Sequence, residues 1–103
     1  MITAIVRFPL PDEVDLAEAE SRFKETAPRY TDVSGLLRKY YLFGNGSGGG
    51  VYLWKTRAEA EAMYTPEWSA RIAGIYGADP VVEYFETPVI VDNVSGEIET
   101  STA

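Results

Sequence analysis

The chain predicts an α+β fold of the ferredoxin-like βαββαβ order: a four-stranded antiparallel sheet with two helices on one face. Three observations predict it. Short β-branched and aromatic runs alternate with segments of helical period in that order along the chain. Proline and glycine fall between the runs, at Pro9, Pro11, Pro28, the stretch 44–50 and Gly77, where breakers belong. Several strand segments, such as Tyr40-Tyr41-Leu42-Phe43 and Val51-Tyr52-Leu53-Trp54, are apolar on both faces, unlike an antiparallel sheet with one wet side. The chain has no further element to cover the second face, so a homodimer with sheets packed face to face is expected.

The elements follow in order. Ile2 to Phe8 reads as a strand with Ile2, Ala4, Val6 and Phe8 on one face. Asp12 to Ala27 reads as a helix with an apolar stripe of Leu16, Ala19, Phe23, Ala27 and Tyr30. Asp12, Glu13 and Asp15 suit the positive end of its dipole, and Pro28 stops it. Gly35 to Phe43 is the second strand. Strict alternation places Leu37, Lys39, Tyr41 and Phe43 on one face and Leu36, Arg38, Tyr40 and Leu42 on the other. The glycine-rich stretch 44–50 reads as a hairpin tip, and Val51 to Lys55 as the third strand. Thr56 with Glu59 makes a capping box, while Thr65-Pro66 restarts a helix. The second helical region is therefore broken, about 57–64 and 66–76, and Gly77 ends it. Val81 to Thr87 is the fourth strand, and Pro88 marks a sheet edge or bulge before Val89-Ile90-Val91. Residues 1–93 are expected to form one domain, and 94–103 a polar, disordered tail.

Composition excludes several chemistries. The 103 residues hold no cysteine and no histidine. Thiolate nucleophiles, disulfides, histidine triads and histidine-ligated metals or haem are thereby absent. Sixteen acidic against nine basic residues give a net charge of −7, which argues against nucleic-acid and anionic-membrane partners. It also argues against an RNA-recognition motif, which shares the element order but needs a basic surface. No apolar run has the length of a membrane span and the first residues lack a signal-peptide pattern, so a cytoplasmic protein is expected. Aromatic residues reach 13%, pointing to a lined pocket or a subunit interface.

The stretches 2–8, 33–41, 50–54, 63–68 and 82–89, including Ser34-Gly35-Leu36-Leu37-Arg38-Lys39-Tyr40-Tyr41 and Met63-Tyr64-Thr65-Pro66-Glu67-Trp68, carry a resemblance. The sequence resembles the YdhR-like monooxygenases of the dimeric α+β barrel superfamily over residues 2 to about 93. The resemblance implies a homodimer with a pocket between sheet and helices in each subunit. It also implies oxidation of a phenolic substrate by O2 with no cofactor, neither metal nor flavin. The chain departs from the haem-degrading relatives, which need a histidine. It departs too from relatives with a pocket asparagine, since its asparagines are Asn45 and Asn93.

The candidate catalytic residues are Arg38, Tyr40 and Tyr64; Trp54, Trp68, Leu36 and Phe23 are candidates for substrate binding. Arg38, taken as buried in mid-strand, needs a partner: either Glu83 or Glu86 in an ion pair, or an anionic ligand such as a phenolate. Tyr40 and Tyr64 offer hydroxyls for proton movement, and Trp54, Tyr64 and Trp68 are either core packing or pocket wall. Lys39, on the face opposite Arg38, is expected at an interface or rim. The stretch 44–50 lacks the Gly-Lys-Ser/Thr ending of a phosphate loop. The function expected is a cofactor-independent monooxygenase acting on a small apolar or aromatic molecule. The alternative is a non-catalytic binding or stress-related protein of the same fold.

Overall fold

The computed structural model describes residues 1–100. Strand β1 (Ile2–Pro9) is followed by helix α1 (Leu16–Thr26), which tightens into a 3-10 turn at Ala27–Tyr30. Strands β2 (Leu36–Gly44) and β3 (Ser47–Trp54) form a hairpin, helices α2 (Arg57–Met63) and α3 (Pro66–Tyr76) follow, and β4 (Val81–Glu86) completes the sheet. The order across the sheet is β2-β3-β1-β4, antiparallel throughout, as the ferredoxin-like reading requires. Among the described residues, no helix is long and apolar enough to cross a membrane.

Local chemistry sets the helix ends. Asp15 accepts the Glu18 N–H at 2.9 Å, so α1 begins at Leu16, and Asp12 and Glu13 precede it rather than filling its first turn. Pro28 does not stop the coil; it sits at the start of the 3-10 turn, where its missing N–H costs nothing. Thr56 and Thr65 cap α2 and α3 by accepting from Glu59 N and Trp68 N. The Glu59 carboxylate does not reach back to Thr56 N; it accepts from the hydroxyls of Thr56 and Ser34. Gly77, at φ 85°, ends α3 in the left-handed conformation expected of a C-terminal glycine.

The sheet has one buried and one open face. Ile2, Ala4, Val6 and Phe8 of β1 point to the helices with Tyr52 and Trp54 of β3, and all are buried. Ala19 and Phe23 of α1, Ala60 of α2 and Trp68, Ile72 and Tyr76 of α3 close over them. On the other face, Arg38–Leu53–Thr3–Phe85 and Tyr40–Val51–Ile5–Glu83 lie in register across the four strands.

Four sequence expectations change. First, a bulge falls between Leu36 and Arg38, so alternation is broken there. Leu36 pairs with Trp54 on the helix side with Lys39 and Tyr41, while Leu37 joins Arg38 and Tyr40 on the open face. Second, the glycine run is not a tip. Only Asn45 and Gly46 turn, both at positive φ, and Gly48 to Gly50 are buried mid-strand. A Cβ at Gly49 would run into the Val6 carbonyl, and one at Gly50 would stand 2.9 Å from Tyr40 O and 3.1 Å from Tyr52 Cε1. Third, Leu16 leaves the apolar stripe of α1 and is 63% exposed. Fourth, the tail is not free from residue 94. Strand β5 (Val89–Asp92) pairs with β6 (Glu97–Thr100), turning on the Asp92 carboxylate, which accepts from Val94 N and Ser95 N; residues 101–103 lie outside the described residues.

Candidate functional site

The break between α2 and α3 builds one wall of the site. Tyr64 leaves the helix at φ −81°, ψ 63°, and Thr65 caps the next helix. The interruption places the Tyr64 ring edge-on to Tyr52 at 5.4 Å, to Trp68 at 5.0 Å and to Tyr84 at 5.9 Å between centroids. Trp54, wholly enclosed, donates its indole N–H to Tyr64 Oη at 3.1 Å. Trp68 donates to Tyr30 Oη at 3.2 Å. Each buried indole thus has the polar partner it needs. Burial pushes the hydroxyls of Tyr52 and Tyr64 above the ordinary tyrosine value. Both keep their protons at neutral pH and act as hydrogen-bonding groups.

Lys39 is the feature the sequence reading placed elsewhere. It faces the helices, not a rim. Its Nζ lies 3.3 Å from the centroid of Tyr30, 3.8 Å from Tyr41 and 4.7 Å from Tyr52. Tyr30 comes from the 3-10 turn, Tyr41 from two residues along β2, and Tyr52 from the position paired with Lys39 on β3. Gly50, opposite Tyr41, lies beside the lysine stem: a Cβ there would stand 3.5 Å from Lys39 Cε, an ordinary contact. Among the described residues, no carboxylate or hydrogen-bond acceptor partners this amine. Burial, reinforced by the like charge of Arg71 on α3, pushes it down to about 7. The ring faces attract the charged form and oppose that shift in part. The signal in the sequence was the alternation of Lys39 with Tyr41; the bulge at Leu36 concealed which face the pair shares with Trp54.

Lys39 borders a small cavity of about 20 Å3 with Phe23, Tyr30, Tyr41, Tyr52 and Trp68 among its walls, space for a single water. Next to it, between α1 and the edge strand β2, runs an open groove of about 550 Å3. Leu16, Ala27, Leu42 and Phe43 give it apolar walls, and Glu20 and Lys24 pair at 2.9 Å on its rim. Phe23 and Tyr41 belong to both spaces. Their rings stack at 4.7 Å, and Tyr41 Oη bonds Thr26 Oγ1 at 2.7 Å.

Of the residues singled out from sequence, Tyr64, Trp54, Trp68, Leu36 and Phe23 gather on the helix side. Arg38 and Tyr40 do not join them; they lie on the open face, with the sheet between. Arg38 is exposed, not buried, because the β5–β6 hairpin leaves an open cleft over that face. Its Nη1 donates to Tyr40 Oη at 3.3 Å, and Asp92 and Glu99 of the β5–β6 hairpin add negative charge nearby. Glu83 and Glu86 do not pair with it, since β2 and β4 are opposite edges of the sheet. Arg38 instead lines a cleft of about 550 Å3 beneath the hairpin, with Leu37, Leu53, Ile90 and Val94. Asn45 and Asn93 lie in the two hairpin turns, away from the Lys39 cavity. No cluster of three or more carboxylates able to hold a metal ion occurs among the described residues.

The strand order and the helices on one face of the sheet define the class: an α+β chain of the ferredoxin-like order. Two solved proteins share the fold. A protein of unknown function from Nitrosomonas europaea superposes with a TM-score of 0.64 at 20% identity, over 84% of this chain and 87% of that one. SnoaB, a cofactor-independent oxygenase from Streptomyces nogalater, superposes with a TM-score of 0.59 at 20% identity, over 84% of this chain and 91% of its own; a variant of SnoaB matches at 0.59 and 21%, over the same shares of each chain. No family model matches the sequence, and no curated protein matches it.

Proposed function

We propose that this protein is a cofactor-independent monooxygenase of the YdhR-like kind, oxidising a small apolar phenolic substrate with O2 between sheet and helices. One observation carries the reading: a single unpaired amine, Lys39, sits among aromatic rings in an otherwise apolar space. A flat, hydroxylated ring fits the adjoining groove of about 550 Å3, and the amine beside it meets the anion that ring forms. An electron-rich anion can pass an electron to O2 directly. For a ring-flanked CH2, the balance is CH2 plus O2 giving C=O plus H2O. One oxygen atom stays on carbon, and the other leaves in water with both hydrogens. The protein's part is to exclude water, orient the ring and hold the anion. The fold shared with SnoaB supports this reading. Phe23 and Trp68 border the space at Lys39, while Trp54, Tyr64 and Leu36 pack into the core on the same side of the sheet.

The test is oxygen uptake by a hydroxyanthrone-type compound in metal-chelated, flavin-free buffer. Uptake above the protein-free and heat-unfolded controls is expected; uptake equal to both across a panel of such compounds overturns the reading. The position of Asn45 and Asn93, outside the cavity, favours the alternative of a non-catalytic binder. Ligand-induced thermal stabilisation without oxygen uptake identifies that case.

We also propose a homodimer through the open sheet face. Leu37, Tyr40, Leu42 and Phe85 are between 42% and 55% exposed there. The 11.4 kDa chain exposes 6633 Å2, where a compact monomer of that mass exposes about 5,800 Å2. Its radius of gyration is 14.4 Å, against about 13 Å for a compact chain of this length. A second copy, meeting this face with the same residues, is the occupant that fits its apolar character.

A further inference from the structure

We infer that Lys39 Nζ is the base of this site. It takes the hydroxyl proton of an acidic hydroxyarene or enol whose ring lies in the groove between α1 and β2, with Tyr41 turned aside. The inference rests on the oxygenase reading for its substrate class, and on geometry for the rest. Nζ has three ring faces around it and, among the described residues, no carboxylate. Rings accept no proton, so the amine is free to bind one. The groove's volume of about 550 Å3 falls in the ~300–1,000 Å3 range of small-molecule pockets. The Lys39 cavity alone holds no more than a water. Tyr41 and Phe23 are the shared wall, so displacing one stacked ring joins groove to amine. The arrangement also gives a role to Leu16, exposed on α1 beside the groove.

The proton step is balanced within the site. The substrate O–H bond breaks, its electron pair stays on oxygen, and the amine gains an N–H bond. The products are an ammonium and an arenolate that attract each other in a space of low polarity. Tyr30, Tyr41, Tyr52 and Tyr76 line this space, and Arg71 adds a positive charge from α3. An amine held near neutrality is matched to general-base work at ordinary pH.

The test uses para-nitrophenol, whose phenolate is visibly coloured, under nitrogen, so that no turnover occurs. The wild-type chain, Lys39→Met and Lys39→Arg are compared at a pH below the free phenol's own pKa. The wild type is expected to bind the coloured phenolate. Lys39→Met is expected to weaken that binding by about tenfold or more. Lys39→Arg, which keeps the charge but cannot act as a base, is expected to hold added phenolate yet leave bound phenol colourless, and to give no oxygen uptake in the separate hydroxyanthrone assay in air. A nitrogen NMR titration of the Lys39 amine gives a second readout independent of any ligand; loss of its proton near neutral pH is expected. An amine that stays protonated to pH 10, a bound phenol that remains colourless, or no binding overturns the proposal. Coloured binding without oxygen uptake leaves Lys39 as the base and overturns the oxygenase reading instead.

Discussion

Raising the pH from 7 to 9 should stabilise this protein, and Lys39→Met should abolish the effect. The ammonium of Lys39 falls from its ordinary 10.5 to about 7 in the folded chain. Between those values the unfolded chain holds a proton that the folded chain has released, so stability rises with pH across the window. It is fully present above about 10.5 and is lost as pH falls through the range towards 7. Integrating the two titrations between pH 7 and 9 gives a gain of about 2 kcal/mol. For a domain of this size that is on the order of 10 °C in Tm. With no histidine and no cysteine in the chain, no imidazole or thiol titrates in the window. Tyr41, held up at about 12, and the other buried tyrosines oppose the trend only above pH 10, where their unfolded hydroxyls ionise first. The assay is urea unfolding at pH 7, 8 and 9 for both chains, followed by tryptophan fluorescence. A flat or falling wild-type profile, or an equal slope in Lys39→Met, refutes the reasoning.

Three further outcomes are expected. Tyr64→Phe leaves the enclosed Trp54 N–H without its acceptor and should cost about 1–3 kcal/mol, read by denaturant unfolding. Gly50→Ala drives a methyl against Tyr40 O and Tyr52 and should destabilise by about 1–3 kcal/mol, whereas Gly74→Ala in α3, with nothing within 4 Å, should stabilise by ~0.5–1 kcal/mol; thermal melts that rank the two in the other order contradict the strand packing. Phe85→Lys on the open face should convert a dimer to a monomer by light scattering, leaving the melting transition of the helix-side core intact.

The sequence carried the element order because each boundary had its own chemistry. Thr56, Thr65-Pro66 and Gly77 act locally, so no tertiary knowledge was needed to place those helix ends. The helix break at Tyr64 was legible for the same reason. The sequence places the start of α1 at Asp12, whereas Asp15 caps it. What sets the site is less local. One inserted residue at Leu37 reverses the phase of β2 behind it, and nothing in Gly-Leu-Leu-Arg-Lys marks that insertion. Alternation therefore grouped Leu36 with Arg38 and left Lys39 at a rim. The glycines misled in a related way. Their composition matches a loose turn, yet their function is subtraction: Phe8 and Tyr52 occupy the space their side chains vacate. Arg38 looked like a buried charge because a strand apolar on both sides implies cover that the β5–β6 hairpin supplies only in part.

The two tryptophans give the molecule a built-in optical reporter. Both lie on the helix side, each joined to a tyrosine hydroxyl, and rings of Tyr30, Tyr41, Tyr52, Tyr64 and Tyr84 neighbour one another at centroid separations of 5.4 to 6.4 Å. Light absorbed by those phenols migrates to the indoles, so emission from the whole protein originates beside one small space. A coloured guest entering the groove dims nearly all of it, and occupancy becomes readable without a label.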